Sequence, residues 1–326
     1  MTDILWLIFG VALIIFAANW LTDGAASIAR RWGISDLVVG LTVVAFGTSS
    51  PELSISIISA LQGNAPLAIG NVVGSNIFNI LIIIGVVALV KPIKVEPSVM
   101  VNELGLVILS SLALLTIGFG DMLGITGERT VTRPEGILLL LFFVIFMRYT
   151  FAQAKQTPEP GNDPAAQKAS SGKEMPVWKS VILVVAGLAG LIYGGDRFVA
   201  GASGIAMSLG MSEAVVGLTI VAAGTSLPEL ATSITAALKG NSGIAIGNVI
   251  GSNIFNIFLV LGATATISPL PFGGITHIDL LVMMLASVLF WFFSWRIGRC
   301  TIKRGEGAVL VALYIAYIAW QVASLN

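Results

Sequence analysis

Two glutamates, Glu52 and Glu229, sit in nearly the same setting: Gly47–Leu53 reads GTSSPEL and Gly224–Leu230 reads GTSLPEL. A second pair of segments follows, AIGNVVGSNIFNI at Ala68–Ile80 and AIGNVIGSNIFNI at Ala245–Ile257, identical at 12 of 13 positions. A single offset of 177 residues aligns both pairs. Each copy surrounds its carboxylate with hydroxyls and amides: Ser49, Ser75 and Asn79 in the first, Ser226, Ser252 and Asn256 in the second. Ser49 and Glu52 are three apart, and Ser75 and Asn79 four apart, so each pair shares a helix face. Such donors offer oxygen and no thiolate or imidazole, which suits hard cations and disfavours zinc and copper.

The prolines add backbone oxygens to this set. Pro51 lacks an N–H and its ring collides with the carbonyl four residues back, that of Gly47. The carbonyls just upstream, including Ala45 and Phe46, are expected to be poorly satisfied, and Pro228 should do the same to Gly224 and Ala222. Within hydrocarbon a break of this kind survives only when buried in protein or lining a wet cavity. Two carboxylates carry two negative charges, which one calcium or two sodium ions would balance. A site limited by charge in this way gives exchange of one ion set for the other without a separate coupling device. Ser-x-x-Glu is also a helix capping box. A mid-membrane acid, however, costs roughly 2.5–3.5 kcal/mol, and here it recurs beside a proline in both copies.

Composition supplies the elements that must hold these residues. The 326-residue chain is 56% hydrophobic and 10% charged, with a mean hydropathy of +0.96, as in a polytopic membrane protein. Ten segments are long enough to span a bilayer: 3–29, 36–61, 66–90, 99–119, 134–152, 177–207, 213–238, 243–266, 276–298 and 305–324. No Lys or Arg precedes Arg30, so the first segment reads as a permanent span and not a cleaved signal. The expected architecture is an all-α membrane protein with two five-helix repeats, 1–152 and 177–326, and broken second and seventh helices at the midplane. Five is odd, so the second repeat enters from the opposite side, giving an inverted pair. Residues 153–176, rich in Pro, Ala, Ser, Lys and Gly, read as a flexible linker too short and polar to fold alone.

Lys and Arg set the direction. Fourteen fall on one side (Arg30, Arg31, Lys91, Lys94, Arg148, Lys155, Lys168, Lys173, Lys179, Lys239, Arg296, Arg299, Lys303, Arg304) and three on the other (Arg129, Arg133, Arg197). By the positive-inside rule the linker is cytoplasmic and both termini are extracytoplasmic, in a cell (inner) membrane. One cysteine, Cys300, and one histidine, His277, exclude a disulfide framework and a two-histidine metal motif. Asp36 and Glu213 each follow a serine at a helix start and read as capping residues. Asp23 and Asp196 read as interfacial ion-pairing groups, and Asn71, Asn76, Asn248 and Asn253 as interhelical hydrogen-bonding groups.

At GTS-x-PE paired with GN-x-x-GSNI the chain resembles the sodium/calcium exchangers of the cation/calcium antiporter superfamily. The resemblance implies that Glu52 and Glu229 bind calcium and sodium. It also implies sodium ligands from Ser49, Ser226, Ser75 and Ser252, and backbone oxygens from Ala45, Ala222, Thr48 and Thr225. It further implies alternating access, with the first and sixth helices sliding across the core. Many such exchangers carry an acid at the position of Asn256, whereas this chain has Asn at both 79 and 256. The family implies three sodium ions per calcium, while the charge of two carboxylates would allow two.

Sodium-for-calcium exchange is thus the leading expectation, with calcium, sodium and the lipid bilayer as partners. No cofactor, nucleic acid, obligatory protein partner or enzymatic activity is expected. A proton/calcium antiporter on the same fold would show calcium flux that follows pH and ignores sodium. A cation channel with a glutamate selectivity pair would show flux without countertransport. An intramembrane hydrolase using Ser49 or Ser226 lacks any neighbouring histidine or lysine to activate the hydroxyl.

Overall fold

The computed structural model describes residues 2–124, 129–154, 175–209, 222–297 and 300–324. The described residues are helical apart from turns, short loops and four two-residue strands. In chain order the helices are α1 (Thr2–Trp32), α2 (Asp36–Thr48), α3 (Ser50–Leu61), α4 (Ala65–Val90), α5 (Pro97–Gly118) and α6 (Arg133–Ala154). They continue with α7 (Val177–Ser208), α8 (Leu227–Leu238), α9 (Ser242–Ile267), α10 (His277–Trp295) and α11 (Arg304–Ala323). Eight of these are long and apolar enough to cross a membrane, and the pair α2–α3, bent by 42°, meets the same measure only when taken together as one broken segment. The expected span 213–238 is represented by α8 and a single turn at Ala222–Gly224. Its earlier part, with Glu213, lies outside the described residues, as does the linker from 155 to 174.

Local chemistry sets where these helices start. Ser35 caps α2, its Oγ accepting from Val38 N at 3.3 Å, with Asp36 in the first turn. Thr276 and Asp279 form a reciprocal capping box at α10. Asp279 Oδ1 also accepts from Tyr317 Oη at 2.8 Å and Gln321 Nε2 at 3.0 Å on α11. Helical pitch widens to π-type turns at Gly40–Val44, Asn79–Ile84, Phe255–Leu261 and Phe293–Ile297.

The chain divides into two compact units, residues 1–51 with 147–251 and residues 52–146 with 252–326. Each unit draws on both halves of the sequence. In the first, α1 packs along α7, burying Ala17, Leu21 and Ala25 completely. Lys239 Nζ, just beyond α8, pairs with Asp23 Oδ1 of α1 at 2.7 Å and donates to Asn19 O at 3.3 Å. The ion-pairing role expected of Asp23 is therefore present.

In the second unit α10 packs on α5, where Ser111 and Ser287 share a 2.9 Å hydrogen bond, and α11 packs on the end of α4. Two antiparallel ties join loops from different halves of the sequence. β1 (Ile93–Lys94) pairs with β4 (Thr301–Ile302), and β2 (Thr130–Val131) with β3 (Leu270–Pro271). Phe255 packs edge-on against Phe143 and Phe146. Leu138, Leu141, Val144 and Ile145 of α6 are exposed, as befits a lipid-facing helix whose backbone bonds are all internal.

Candidate ion-binding site

The two copies of the glutamate motif break their helices in the same way. Ser49, between α2 and α3, has φ −84° and ψ 5°; Ser226, just before α8, has φ −91° and ψ 6°. Both lie in the sparsely occupied bridge region where many functional residues are found. Pro51 and Pro228 follow in the first turn of the next helix, where a missing N–H costs nothing. Glu52 and Glu229 come one residue later, each 1% exposed.

This placement corrects the expectation for the upstream carbonyls. Ala45 O accepts from Ser49 N at 3.0 Å, and Phe46 O accepts from Ser50 Oγ at 2.8 Å. The proline belongs to the second helix and so takes no bond from the first. Thr48 Oγ1 lies 3.4 Å from Ala45 O and 3.1 Å from Asn248 Oδ1. One hydroxyl proton serves the shorter contact better, which leaves Ala45 O a lone pair to offer.

Within the first unit, α2 and α9 touch backbone to backbone. A Cβ on Gly247 would stand 2.5 Å from Leu37 O, and one on Gly251 would stand 2.6 Å from the Ala45 Cβ. Only glycine permits that approach, and it brings Thr48 to Asn248. Ser49 Oγ donates to Glu229 Oε1 at 3.2 Å. Asn248 Nδ2 donates to Glu229 O at 3.3 Å and to Ser233 Oγ at 3.0 Å. The first unit thus gathers Thr48, Ser49, Ala45, Asn248 and Glu229, and Thr225 and Ser226 lie in the turn that leads into α8. Of Ala222 only the backbone is described, in the turn before it.

The second unit holds Glu52 and the remaining candidates. Asn71 Nδ2 donates to Glu52 O at 3.2 Å and to Ser56 Oγ at 3.0 Å. Asn76 Nδ2 donates to Asn253 O at 3.3 Å, and Asn256 Nδ2 to Asn76 Oδ1 at 3.1 Å. The four asparagines read as interhelical bonding groups include Asn71, Asn76 and Asn248, and these make such bonds. Ser75, Asn79, Ser252 and Asn256 are at most 2% exposed. Among the described residues, Ser75 Oγ, Ser252 Oγ, both amide atoms of Asn79 and Asn256 Oδ1 have no protein hydrogen-bond partner. Buried polar atoms are costly unless something satisfies them, and these belong to residues singled out for chemistry. The π-type turns begin at Asn79 itself and at Phe255, beside Asn256, as wide turns at functional positions often do.

The model of the family described as sodium/calcium exchanger protein matches residues 2–152 and 179–323. The chain belongs to the sodium/calcium exchanger family. A protein of Alkalimonas amylolytica named CaxA is 39% identical to this exchanger-family chain over 315 residues, 96% of either protein. The sodium/calcium exchanger MaX1 of Methanosarcina acetivorans is 31% identical over 341 residues, 97% of each. A solved structure of the sodium-calcium exchanger NCX_Mj, soaked with sodium and calcium, superposes with a TM-score of 0.81 at 32% identity, covering 98% of both chains. This member of the family is therefore a multi-pass integral membrane protein with that exchanger's helical fold.

Some neighbours of these candidate residues escaped sequence reasoning. Ser56 and Ser233 are fully buried and share the asparagine amides, yet they read as ordinary small residues of an apolar helix. The one available signal was their common offset of 177. The side-chain bond of Thr48 to Asn248 was also missed, because Thr48 drew attention only for its carbonyl.

Proposed function

We propose that this chain is a secondary antiporter that exchanges sodium for calcium by alternating access, and that Glu52 and Glu229 together carry the ions. Ser49, Ser226, Ser75, Ser252, Asn79 and Asn256 add side-chain oxygens, and Ala45, Ala222, Thr48 and Thr225 add backbone oxygens. Calcium takes six to eight oxygens and tolerates irregular geometry, so a carboxylate pair among hydroxyls and amides suits it. The same oxygens in smaller groups suit sodium. The observation that carries this reading is the duplicated break: a bridge-region serine, a first-turn proline and a buried glutamate, in both copies.

The two five-helix repeats 1–152 and 177–326 are proposed to be inverted with respect to one another, with linker 153–176 cytoplasmic and both termini outside. Support comes from the asymmetry of basic residues and from the Asp23–Lys239 pair, whose two helix ends the charge rule assigns to the same side. The Escherichia coli relative YrbG, 35% identical over 324 residues, is an inner membrane protein by name, which favours a bacterial-type cell membrane here.

Competition between the two ions tests the shared site. Calcium should raise the unfolding temperature of the purified protein through binding linkage. Added sodium should lower the apparent calcium affinity in proportion to its occupancy. Calcium stabilisation that is indifferent to sodium would contradict a shared site.

A further inference from the structure

We propose that Asn71 and Asn248 are positioning residues for the two glutamates, each spending both hydrogens of its amide to fix the helix turn that bears the carboxylate. The proposal rests on the reading in which Glu52 and Glu229 bind the ions.

The two asparagines are one offset apart, and so are all their partners. Asn71 Nδ2 reaches Glu52 O at 3.2 Å and Ser56 Oγ at 3.0 Å. Asn248 Nδ2 reaches Glu229 O at 3.3 Å and Ser233 Oγ at 3.0 Å. An amide nitrogen has two N–H bonds, and each here meets one acceptor. The two acceptors come from residues four apart on one helix, so the contact fixes rotation as well as depth.

The helix being held needs such a contact. Its first turn contains a proline that cannot donate, and it follows a serine in bridge conformation, so its N-terminal end is weakly tied to what precedes it. A lateral amide one residue past the proline compensates. Anchoring the glutamate backbone sets the point from which its carboxylate reaches, and positional error of about an ångström is costly in a preorganised site.

In the first unit the chain of bonds continues. Thr48 Oγ1 donates to Asn248 Oδ1 at 3.1 Å, and Ser49 Oγ donates to Glu229 Oε1 at 3.2 Å. Two neighbouring residues at the break in α2 thus grip Glu229 from both ends, one through the asparagine at its backbone and one at its carboxylate. Asn248 and Ser233 are fully buried, so water does not substitute for a lost amide bond there, whereas Asn71 is half-buried.

The test uses the full chain, purified and reconstituted, with Asn248→Ala, Asn71→Ala, Ser233→Ala and Ser56→Ala. Calcium KM and maximal exchange rate are measured separately under a fixed sodium gradient. Each asparagine variant should raise the calcium KM about tenfold, the effect of roughly one to two lost buried hydrogen bonds. Each serine variant, which keeps the bond to the glutamate carbonyl, should raise it about threefold. Asn248→Gln should recover part of the loss. If the asparagine variants lower only the unfolding temperature of the ion-free protein and leave the calcium KM unchanged, the amides serve packing alone and the proposal fails. Should an asparagine variant not fold, an unchanged KM in both serine variants overturns it equally. Glu229→Gln separates this from the wider reading. Abolished exchange in that variant with a normal KM in Asn248→Ala sinks only the positioning role, whereas normal exchange in Glu229→Gln sinks the site itself.

Discussion

Ser49 Oγ donates a 3.2 Å hydrogen bond to Glu229 Oε1, joining the helix break of one motif copy to the carboxylate of the other. The bond makes the two copies interdependent, because the first supplies a hydroxyl that orients the acid of the second. A hydrogen bond to a charged acceptor contributes about 1.5–3 kcal/mol. Ser49→Ala should therefore weaken calcium binding by at least about tenfold while the protein stays folded. Calcium titration of the purified variant, followed by its unfolding temperature, checks this.

Glu52→Gln and Glu229→Gln keep the shape of each side chain and remove its charge. Each should abolish exchange and leave the ion-free protein as stable as the parent or more so, because burying a carboxylate is unfavourable. Transport and unfolding measured on the same preparation provide the check. Loss of both together would indicate a folding role in place of a binding one.

Gly251 stands where α9 meets α2, and a Cβ there would lie 2.6 Å from that of Ala45 and 2.9 Å from Leu41 O. Gly251→Val should cost about 1–3 kcal/mol through overpacking. It should also impair transport by pushing Thr48 away from Asn248. Gly105 of α5 has nothing within 4 Å of its Cβ position, so Gly105→Ala is the matched control. It should be neutral or stabilising by up to about 1 kcal/mol.

Asp23 and Lys239 pair at 2.7 Å, with side chains 53% and 28% exposed. An ion pair that open to solvent is worth about 0.2–1 kcal/mol. A double-mutant cycle with Asp23→Asn and Lys239→Gln should give a coupling in that range that shrinks as salt is added.

What the sequence made legible was set by what repeats and what is uniformly apolar. Eight of the expected spans followed from hydropathy, and the helix breaks at Ser49 and Ser226 from the prolines two residues on. Their consequence was misjudged at Ala45, because a proline in the first turn of the following helix leaves the preceding carbonyls bonded. The π-type turns at Asn79–Ile84 and Phe255–Leu261 left no trace in runs as featureless as ILIII and FLVL, where a wider pitch changes no hydrophobic pattern. Lys239 as the partner of Asp23 was likewise invisible, since 216 residues separate the two. The buried serines 56 and 233 could be recognised only once their asparagine partners were in view.

Radioactive calcium uptake into proteoliposomes loaded with sodium and diluted into sodium-free buffer tests sodium-for-calcium antiport most directly. Potassium- and choline-loaded vesicles with pH clamped serve as controls. Sodium-for-calcium antiport predicts uptake that requires the outward sodium gradient and vanishes in Glu52→Gln and Glu229→Gln. Uptake driven by a pH gradient and indifferent to sodium, or uptake that needs no gradient at all, would contradict it.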